Sequence, residues 1–66
     1  MQIQLNGAAH ELPDGASIAD LLAQLALQGK RIAVEVNLEI VPRSQHAGTV
    51  LHAGDRVEVV HAIGGG

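Results

Sequence analysis

Apolar and polar residues alternate along three stretches of this chain, at residues 1–5, 32–36 and 56–61. This period of two is typical of a strand that buries one face and exposes the other. The stretch at 32–36 is predicted to be a central strand. The alternation predicts that these strands send the following side chains into the core: Ile3, Leu5, Ile32, Val34, Val36, Val57 and Val59.

Turn residues divide the rest of the chain into short strands. Asn6-Gly7 tolerates the positive φ of a tight hairpin turn, so a second strand is expected to return antiparallel around residues 9–12. Ile40 and Val41 form a brief fourth extended segment, which Pro42 ends because proline cannot donate to a strand ladder. A polar loop at 43–48, apolar anchors at 50–51 and a turn at 52–55 lead to the last strand.

One amphipathic helix is predicted from about residue 18 to residue 26. Ser17 is its expected N-cap, and Asp20 places a negative charge in the first turn, where the helix dipole favours it. Gly29 lies just past the apolar pattern and predicts that the helix ends between residues 26 and 28. The apolar stripe of this helix, repeated at helical spacing, consists of Ile18, Leu21, Leu22 and Leu25. The sequence therefore predicts an α+β fold, with a mixed sheet of four to five strands packed on one main helix.

Composition restricts the class of protein further. The 66 residues contain no Cys, Trp, Tyr or Phe, so one small domain at 1–66 must build its core from Ile, Leu and Val. A formal charge of −3 with four scattered basic residues disfavours nucleic acid, whose phosphates reward clustered Lys and Arg. The sequence shows neither a signal peptide nor a membrane span, so no membrane partner is expected and a cytoplasmic protein is predicted.

Residues 62–66 are predicted to be a flexible tail with a reactive end. Gly64, Gly65 and Gly66 carry no side chain, so this segment fits a channel that only a backbone can enter. The alternative is a frayed terminus or an expression scar. Val60, predicted to face solvent, and Ile63 are a possible docking patch for a partner, although single exposed apolar residues are also normal.

Three segments carry a resemblance to a known family. They are Asn-Leu-Glu-Ile-Val-Pro-Arg at 37–43, Leu51 followed by Gly-Asp-Arg-Val-Glu-Val at 54–59, and the terminal Gly65-Gly66. Together they resemble the ThiS family of sulfur carriers in bacterial thiamine biosynthesis, over essentially the whole chain. The resemblance implies the ubiquitin-like β-grasp fold. One position departs from the pattern: His46 stands where a bulky aromatic residue is common.

The resemblance also implies a chemistry for the tail. A ThiF-type adenylating enzyme, using ATP and Mg²⁺, transfers AMP to the carboxylate of Gly66. Sulfur from a cysteine desulfurase or another donor system then displaces AMP, and the resulting thiocarboxylate supplies thiazole synthase (ThiG). The chain is thus expected to be a protein co-substrate that binds no cofactor itself and is not an enzyme.

Other interpretations remain open. A molybdopterin-type carrier or a ubiquitin-like modifier shares the activated tail, and a non-reactive ubiquitin-like binding module would use only its sheet surface. No metal site is expected, because the four histidines are irregularly spaced. The glycine run precedes no helix and is therefore not a phosphate loop. Two conceivable acid/base pairs, interpreted instead as cap, turn and solvated residues, are Asp14 with Asp20 and Glu35 with Glu39.

Overall fold

The computed structural model describes residues 1–61, which form five β-strands, one α-helix and a short 3-10 helix. The elements, in chain order, are β1 (Gln2–Leu5), β2 (Ala8–Glu11), α1 (Ile18–Gln24), β3 (Ile32–Val36), β4 (Glu39–Val41), the 3-10 helix (Arg43–Gln45) and β5 (Arg56–His61). Within the described residues, no helix has the length and apolar character needed to cross a membrane.

All five strands belong to one mixed sheet with the order β2-β1-β5-β3-β4. Two antiparallel hairpins, β1–β2 and β3–β4, are joined through β5, which runs parallel to β1 and antiparallel to β3. The predicted α+β architecture of a mixed sheet on one helix is therefore confirmed. The prediction that residues 32–36 form a central strand is confirmed, because β3 is paired on both sides, and β5 is the middle strand of the five.

The start of α1 follows the sequence prediction. The backbone N–H of Asp20 donates to the Ser17 hydroxyl at 3.1 Å, and the backbone N–H of Ser17 donates to the Asp20 carboxylate at 2.9 Å. This reciprocal capping box satisfies two backbone donors at the helix start that have no partner within the helix. Ser17 is buried, so the cap also fixes where the chain enters the core.

The end of α1 differs from the prediction. The helix ends at Gln24 with Leu25 as its C-cap, and Ala26 takes a positive φ of 59°. The N–H of Leu27 donates to the carbonyl of Leu22 at 2.8 Å, and that of Ala26 to the carbonyl of Ala23 at 3.1 Å. These two bonds form a Schellman motif, in which the left-handed position is usually glycine. The predicted end at residues 26–28 is therefore too late, because Ala26 occupies that position and Gly29 lies beyond it.

The core lies between α1 and one face of the sheet. Of the predicted core residues, Ile3, Leu21, Leu22, Val34, Val57 and Val59 are buried, whereas Leu5, Leu25, Ile32 and Val36 are only partly buried around them. The remaining buried apolar residues are Leu12, Ala16, Ile18 and Leu51. The N–H of Leu51 donates to the carbonyl of Ala16 at 2.8 Å. This bond holds the Leu51 side chain in the core beside the start of α1.

Candidate functional site

The predicted reactive end of the chain follows directly from β5. This strand is paired with β3 up to His61, which lies opposite Ile32. Ile63, Gly64, Gly65 and Gly66 lie outside the described residues, so their predicted roles are addressed below as proposals. The structure does describe what holds the base of this segment in place.

Asn6 fixes the middle of β5 from one side. Its backbone N–H donates to the carbonyl of Val57 at 2.9 Å, and its side-chain amide both donates to the carbonyl and accepts from the N–H of Val59, at 3.1 and 2.9 Å. The Asn6 side chain thus makes the hydrogen bonds to β5 that the backbone of a further β1 residue would make if β1 continued beside β5. Asn6 has a φ of 50°, and asparagine tolerates this left-handed conformation better than most residues.

Asn37 fixes the beginning of β5 from the other side. Its N–H donates to the carbonyl of Arg56 at 2.7 Å, its Oδ1 accepts from the N–H of Arg56 at 3.0 Å, and its Nδ2 donates to Asp55 Oδ1 at 3.2 Å. Each hairpin turn therefore supplies one asparagine that hydrogen-bonds to β5. β5 is thus held from both flanks at its beginning and middle, and β3 pairs with its end at Val60 and His61.

The face of the sheet opposite α1, called here the outer face, has no element packed on it among residues 1–61. Val60 lies on it with 55% of its surface exposed, as its alternation with buried Val59 predicts. Its neighbour across the strands is Ala33. The exposure agrees with the predicted docking patch, and docking itself stays a prediction.

Two exposed apolar residues were missed by the sequence analysis as a surface feature. Leu38 is 73% exposed in the β3–β4 turn, and Ile40 is 71% exposed on β4. Ile40 lies opposite Glu35, which faces away from the core, so Ile40 is on the outer face. Leu38 lines a shallow groove with Gln4 and Arg56, two outer-face residues. We name Leu38 and Ile40 the hairpin ridge. The signal available in the sequence was a leucine where a tight turn after asparagine favours glycine.

Two glutamates are cross-strand neighbours on the same face. Glu35 and Glu58 are directly opposite each other on β3 and β5, and their side chains point away from α1. Like charges at such positions destabilise a sheet. No cationic side chain lies within 4 Å of either carboxylate in the part of the chain that the structure describes. We name this pair the carboxylate pair.

The other acidic residues of the two conceivable acid/base pairs do not face each other across a site. Glu39 lies opposite Val36 and so points to the other face from Glu35, which rules out the conceivable pair of Glu35 with Glu39. Asp20 caps α1, and the Asp14 carboxylate lies 3.1 Å from the amino group of Met1. Asp20 as the cap, Asp14 in a turn and Glu39 as an exposed residue agree with the sequence interpretation, whereas Glu35 is half-buried opposite Glu58.

The basic residues concentrate on the helix side of the sheet. A groove of about 390 Å³ lies between the end of α1, the start of β3 and the 3-10 helix, and it is lined by three of the four basic residues of the chain, Lys30, Arg31 and Arg43. Ile32, opposite His61, also lines it. Positive charge thus surrounds this groove, whereas the carboxylate pair lies on the outer face.

His46, the residue that departs from the family pattern, belongs to the core. Its ring is buried, and Nε2 donates to the carbonyl of Val41 at 3.0 Å. Its own carbonyl accepts from the N–H of Ala19 at 3.2 Å, which ties the 3-10 segment to α1. Among the described residues, no three His, Asp or Glu side chains cluster closely enough to hold a metal ion.

Comparison with known proteins places these features in a family. The family model described as the ThiS family matches residues 3–66, which include both hairpins, β5 and the glycine end. The chain belongs to the ThiS family. Its match to the sulfur carrier protein ThiS of Escherichia coli (strain K12) is 35% identical over 66 residues and covers all of both chains.

Other relatives agree with this placement. The crystal structure of the thiamine biosynthesis protein ThiS from Geobacter metallireducens superposes with a TM-score of 0.87 at 29% identity and covers all of both chains, which confirms the β-grasp fold. A thiazole synthase of Paramagnetospirillum magneticum contains a segment 38% identical to this chain over 66 residues. That match covers the whole chain but only 20% of the thiazole synthase, so the chain spans about a fifth of the length of this relative.

Proposed function

We propose that this chain is a sulfur carrier of thiamine biosynthesis that holds sulfur as a thiocarboxylate on the carboxyl carbon of Gly66. The observation that carries the proposal is the ThiS family match, which continues through residue 66 and so includes the glycine end. The alignment with the Escherichia coli carrier covers that whole chain as well, so the glycine end of this chain aligns with the end of a known carrier.

The chemistry requires activation by a partner. A carboxylate is a poor electrophile, because it is anionic and its oxygen leaves badly. A ThiF-type adenylating enzyme solves this by joining the Gly66 carboxylate to the α-phosphorus of ATP, with loss of pyrophosphate. The persulfide sulfur of a cysteine desulfurase or a comparable donor then attacks the acyl carbon, and AMP leaves. A thiol reductant cleaves the S–S bond of the resulting acyl disulfide, which releases the thiocarboxylate while the thiols are oxidised to a disulfide. ATP and Mg²⁺ belong to the enzyme, so the carrier needs no cofactor of its own.

The described part of the chain supports this function by positioning the reactive end. β5 is paired on both sides and is fixed by the side chains of Asn6 and Asn37. The five residues after His61 can span at most about 17 Å when extended. A rigid base with such a reach allows a partner to hold the folded domain outside its active site while the end of the chain enters.

The consumer of the sulfur is thiazole synthase, which uses the thiocarboxylate for thiazole formation. Support comes from the Paramagnetospirillum magneticum protein, in which a segment similar to this chain is part of a protein named as a thiazole synthase. A carrier segment within the polypeptide of a sulfur consumer is expected when the two must meet in every catalytic cycle.

Intact mass spectrometry tests the proposal. The chain is incubated with ATP, Mg²⁺, a sulfur source and the adenylating enzyme of the same host, and we expect the mass to change by the replacement of one oxygen with sulfur. A variant with one alanine appended after Gly66 is the control and should not change, because the added residue displaces the reacting carboxylate. If the unmodified chain gains no sulfur while it is correctly folded, the chain is a non-reactive binding module.

A further inference from the structure

The two hairpins of this protein have the same type of turn but different residues at its second position. Each has a two-residue turn in which both residues have positive φ: 50° and 84° at Asn6 and Gly7, and 51° and 72° at Asn37 and Leu38. Such turns favour asparagine followed by glycine, because glycine has no Cβ to clash. The first hairpin follows this rule. The second places a leucine at the glycine position, at a conformational cost.

Among residues 1–61, the leucine buries little of its surface to offset that cost. Its side chain is the most exposed of the large apolar residues in the described chain, at 73%, and Ile40 follows at 71%. Both lie on the outer face, where they form the hairpin ridge. An apolar side chain that is kept in a strained turn and points into water is expected when it contacts another molecule.

The surroundings of the hairpin ridge define the chemistry of that molecule. Ile40, Glu35 and Glu58 occupy successive positions across β4, β3 and β5, so the carboxylate pair borders the ridge. Among residues 1–61, no cationic group lies within 4 Å of Glu35 or Glu58, and Arg56, two residues before Glu58 on the same face, forms no ion pair with either. A guanidinium or ammonium group placed between the two carboxylates would relieve their unfavourable like-charge pairing. The complementary surface is therefore apolar with a basic side chain beside it.

The position of the ridge also leaves the reactive end accessible. Asn37 and Ala33 are four residues apart on the β3 side, which corresponds to about 13 Å along a strand. His61 is opposite Ile32, at the other end of β3 from Leu38, whereas Ile40 is opposite Glu35, nearer the middle of the strand. A partner can therefore contact Leu38 and Ile40 without covering His61.

We propose that the hairpin ridge docks on an apolar surface of thiazole synthase and that a basic side chain of this enzyme lies between Glu35 and Glu58. The inference rests on the proposed function. Thiazole synthase is chosen as the occupant because a relative named as a thiazole synthase contains a segment similar to this entire chain in the same polypeptide. Two parts of one polypeptide stay together, so they can keep a contact at the hairpin ridge while the tail reacts.

Titration calorimetry of the purified, unactivated chain against the thiazole synthase of the same host tests the proposal. Leu38→Gly removes the apolar side chain and creates the favoured asparagine–glycine turn, so the variant should melt at a higher temperature than wild type. Its affinity for thiazole synthase should nevertheless fall by at least 10-fold. Glu58→Gln should also bind at least several-fold more weakly, and its affinity should depend less on salt, because one charge is lost from the contact.

Two controls separate this contact from general surface effects. Val50→Ala shortens an exposed apolar residue outside the sheet, and Glu39→Gln removes an exposed carboxylate on the face opposite to Glu35. Both variants should bind like wild type. If Leu38→Gly melts higher and binds thiazole synthase as tightly as wild type, the proposal is overturned, since the leucine then has no role in this contact.

A second arm distinguishes the partners. ATP-dependent AMP transfer by the adenylating enzyme should proceed at the wild-type rate for Leu38→Gly and Glu58→Gln. If AMP transfer falls while binding to thiazole synthase is unchanged, the surface serves the adenylating enzyme, and the assignment to thiazole synthase is wrong. Failure of the proposed function is recognised independently, because wild type would then not be adenylated at all.

Discussion

The side chain of Asn6 and the backbone of Val59 exchange two hydrogen bonds across 53 residues of sequence. Asn6 lies at the end of the first strand and Val59 in the last, so this pair links the two ends of the folded chain. The amide group provides the donor and the acceptor that a further residue of β1 would have offered. The hydrogen bonding between β1 and β5 therefore extends beyond the paired residues of the two strands, as far as Val59.

Asn6→Gly should lower the free energy of unfolding by about 1–3 kcal/mol, because two partly buried hydrogen bonds are lost while the positive φ stays strain-free. Asn6→Ala should cost about 1 kcal/mol more, since alanine is strained in the left-handed region. Urea denaturation followed by circular dichroism measures both. Asn37→Gly is the matched control: its hydrogen bonds are exposed, so the loss should be smaller. Equal losses at the two sites would contradict the role given to Asn6.

Ala26→Gly should stabilise the protein by about 0.5–1 kcal/mol, because glycine takes the left-handed position of the Schellman motif without a Cβ clash. Thermal unfolding measures the change. Ala23→Gly, on the exposed side of α1 three residues earlier, is the control and should destabilise by about 1 kcal/mol. A loss of stability in Ala26→Gly would show that the helix continues through residue 26 in solution.

His46→Ala should lower the free energy of unfolding by about 2 kcal/mol, because it empties a buried site and removes the donor to the Val41 carbonyl. His46→Phe keeps the site filled with a ring and should stay within about 1.5 kcal/mol of wild type. Chemical denaturation of both variants separates packing from hydrogen bonding. If phenylalanine is as harmful as alanine, the hydrogen bond to Val41 is what this position contributes.

Gly65→Val should leave the stability within about 0.5 kcal/mol of wild type, because the position follows the last strand in sequence and glycine has no side chain to lose. A branched side chain one residue from the reacting carboxylate restricts φ and widens the segment that must enter the adenylating enzyme. AMP transfer should therefore fall by about 100-fold or more. Melting curves and AMP transfer are compared on the same preparations. Wild-type transfer by a normally folded variant would remove the tail from the mechanism.

Local sequence patterns were sufficient to predict where the helix starts, where the strands lie and which faces they bury. Ser17 with Asp20 gave the helix start, and alternation gave the inward Val57 and Val59. Each of these signals depends on residues within one element. The same holds for Asn6-Gly7, whose turn requires only two residues with positive φ.

Features that depend on distant pairing were not predictable in this way. Alternation looks the same in β3 and β5, so it does not tell which strand lies in the middle of the sheet. Leu51 is buried because a loop pairs with the entry to α1, a contact that no periodicity records. Ala26 ends the helix although Gly29 carries the stronger local signal, since packing of Leu27 after the Schellman motif decides the position.

The candidate site was predictable only in part. The glycine end was recognised from composition and family resemblance, and Val60 from alternation. The hairpin ridge was not predicted. Alternation alone does not tell which face of a short strand is buried, and the pairing of Ile40 with Glu35 is needed to place Ile40 on the outer face. The carboxylate pair likewise exists only through the register of β3 and β5, which brings Glu35 opposite Glu58.

The place of β5 in the sheet has a consequence for how this protein is made. β5 is synthesised after all other elements and yet joins the two hairpins, so the domain cannot complete its fold until the last strand has left the ribosome. A product that stops before residue 56 leaves the edges of β1 and β3 open and is exposed to proteases. Such a product also lacks the segment leading to Gly66. Degradation of such a product would therefore remove molecules that have the two hairpins but lack Gly66.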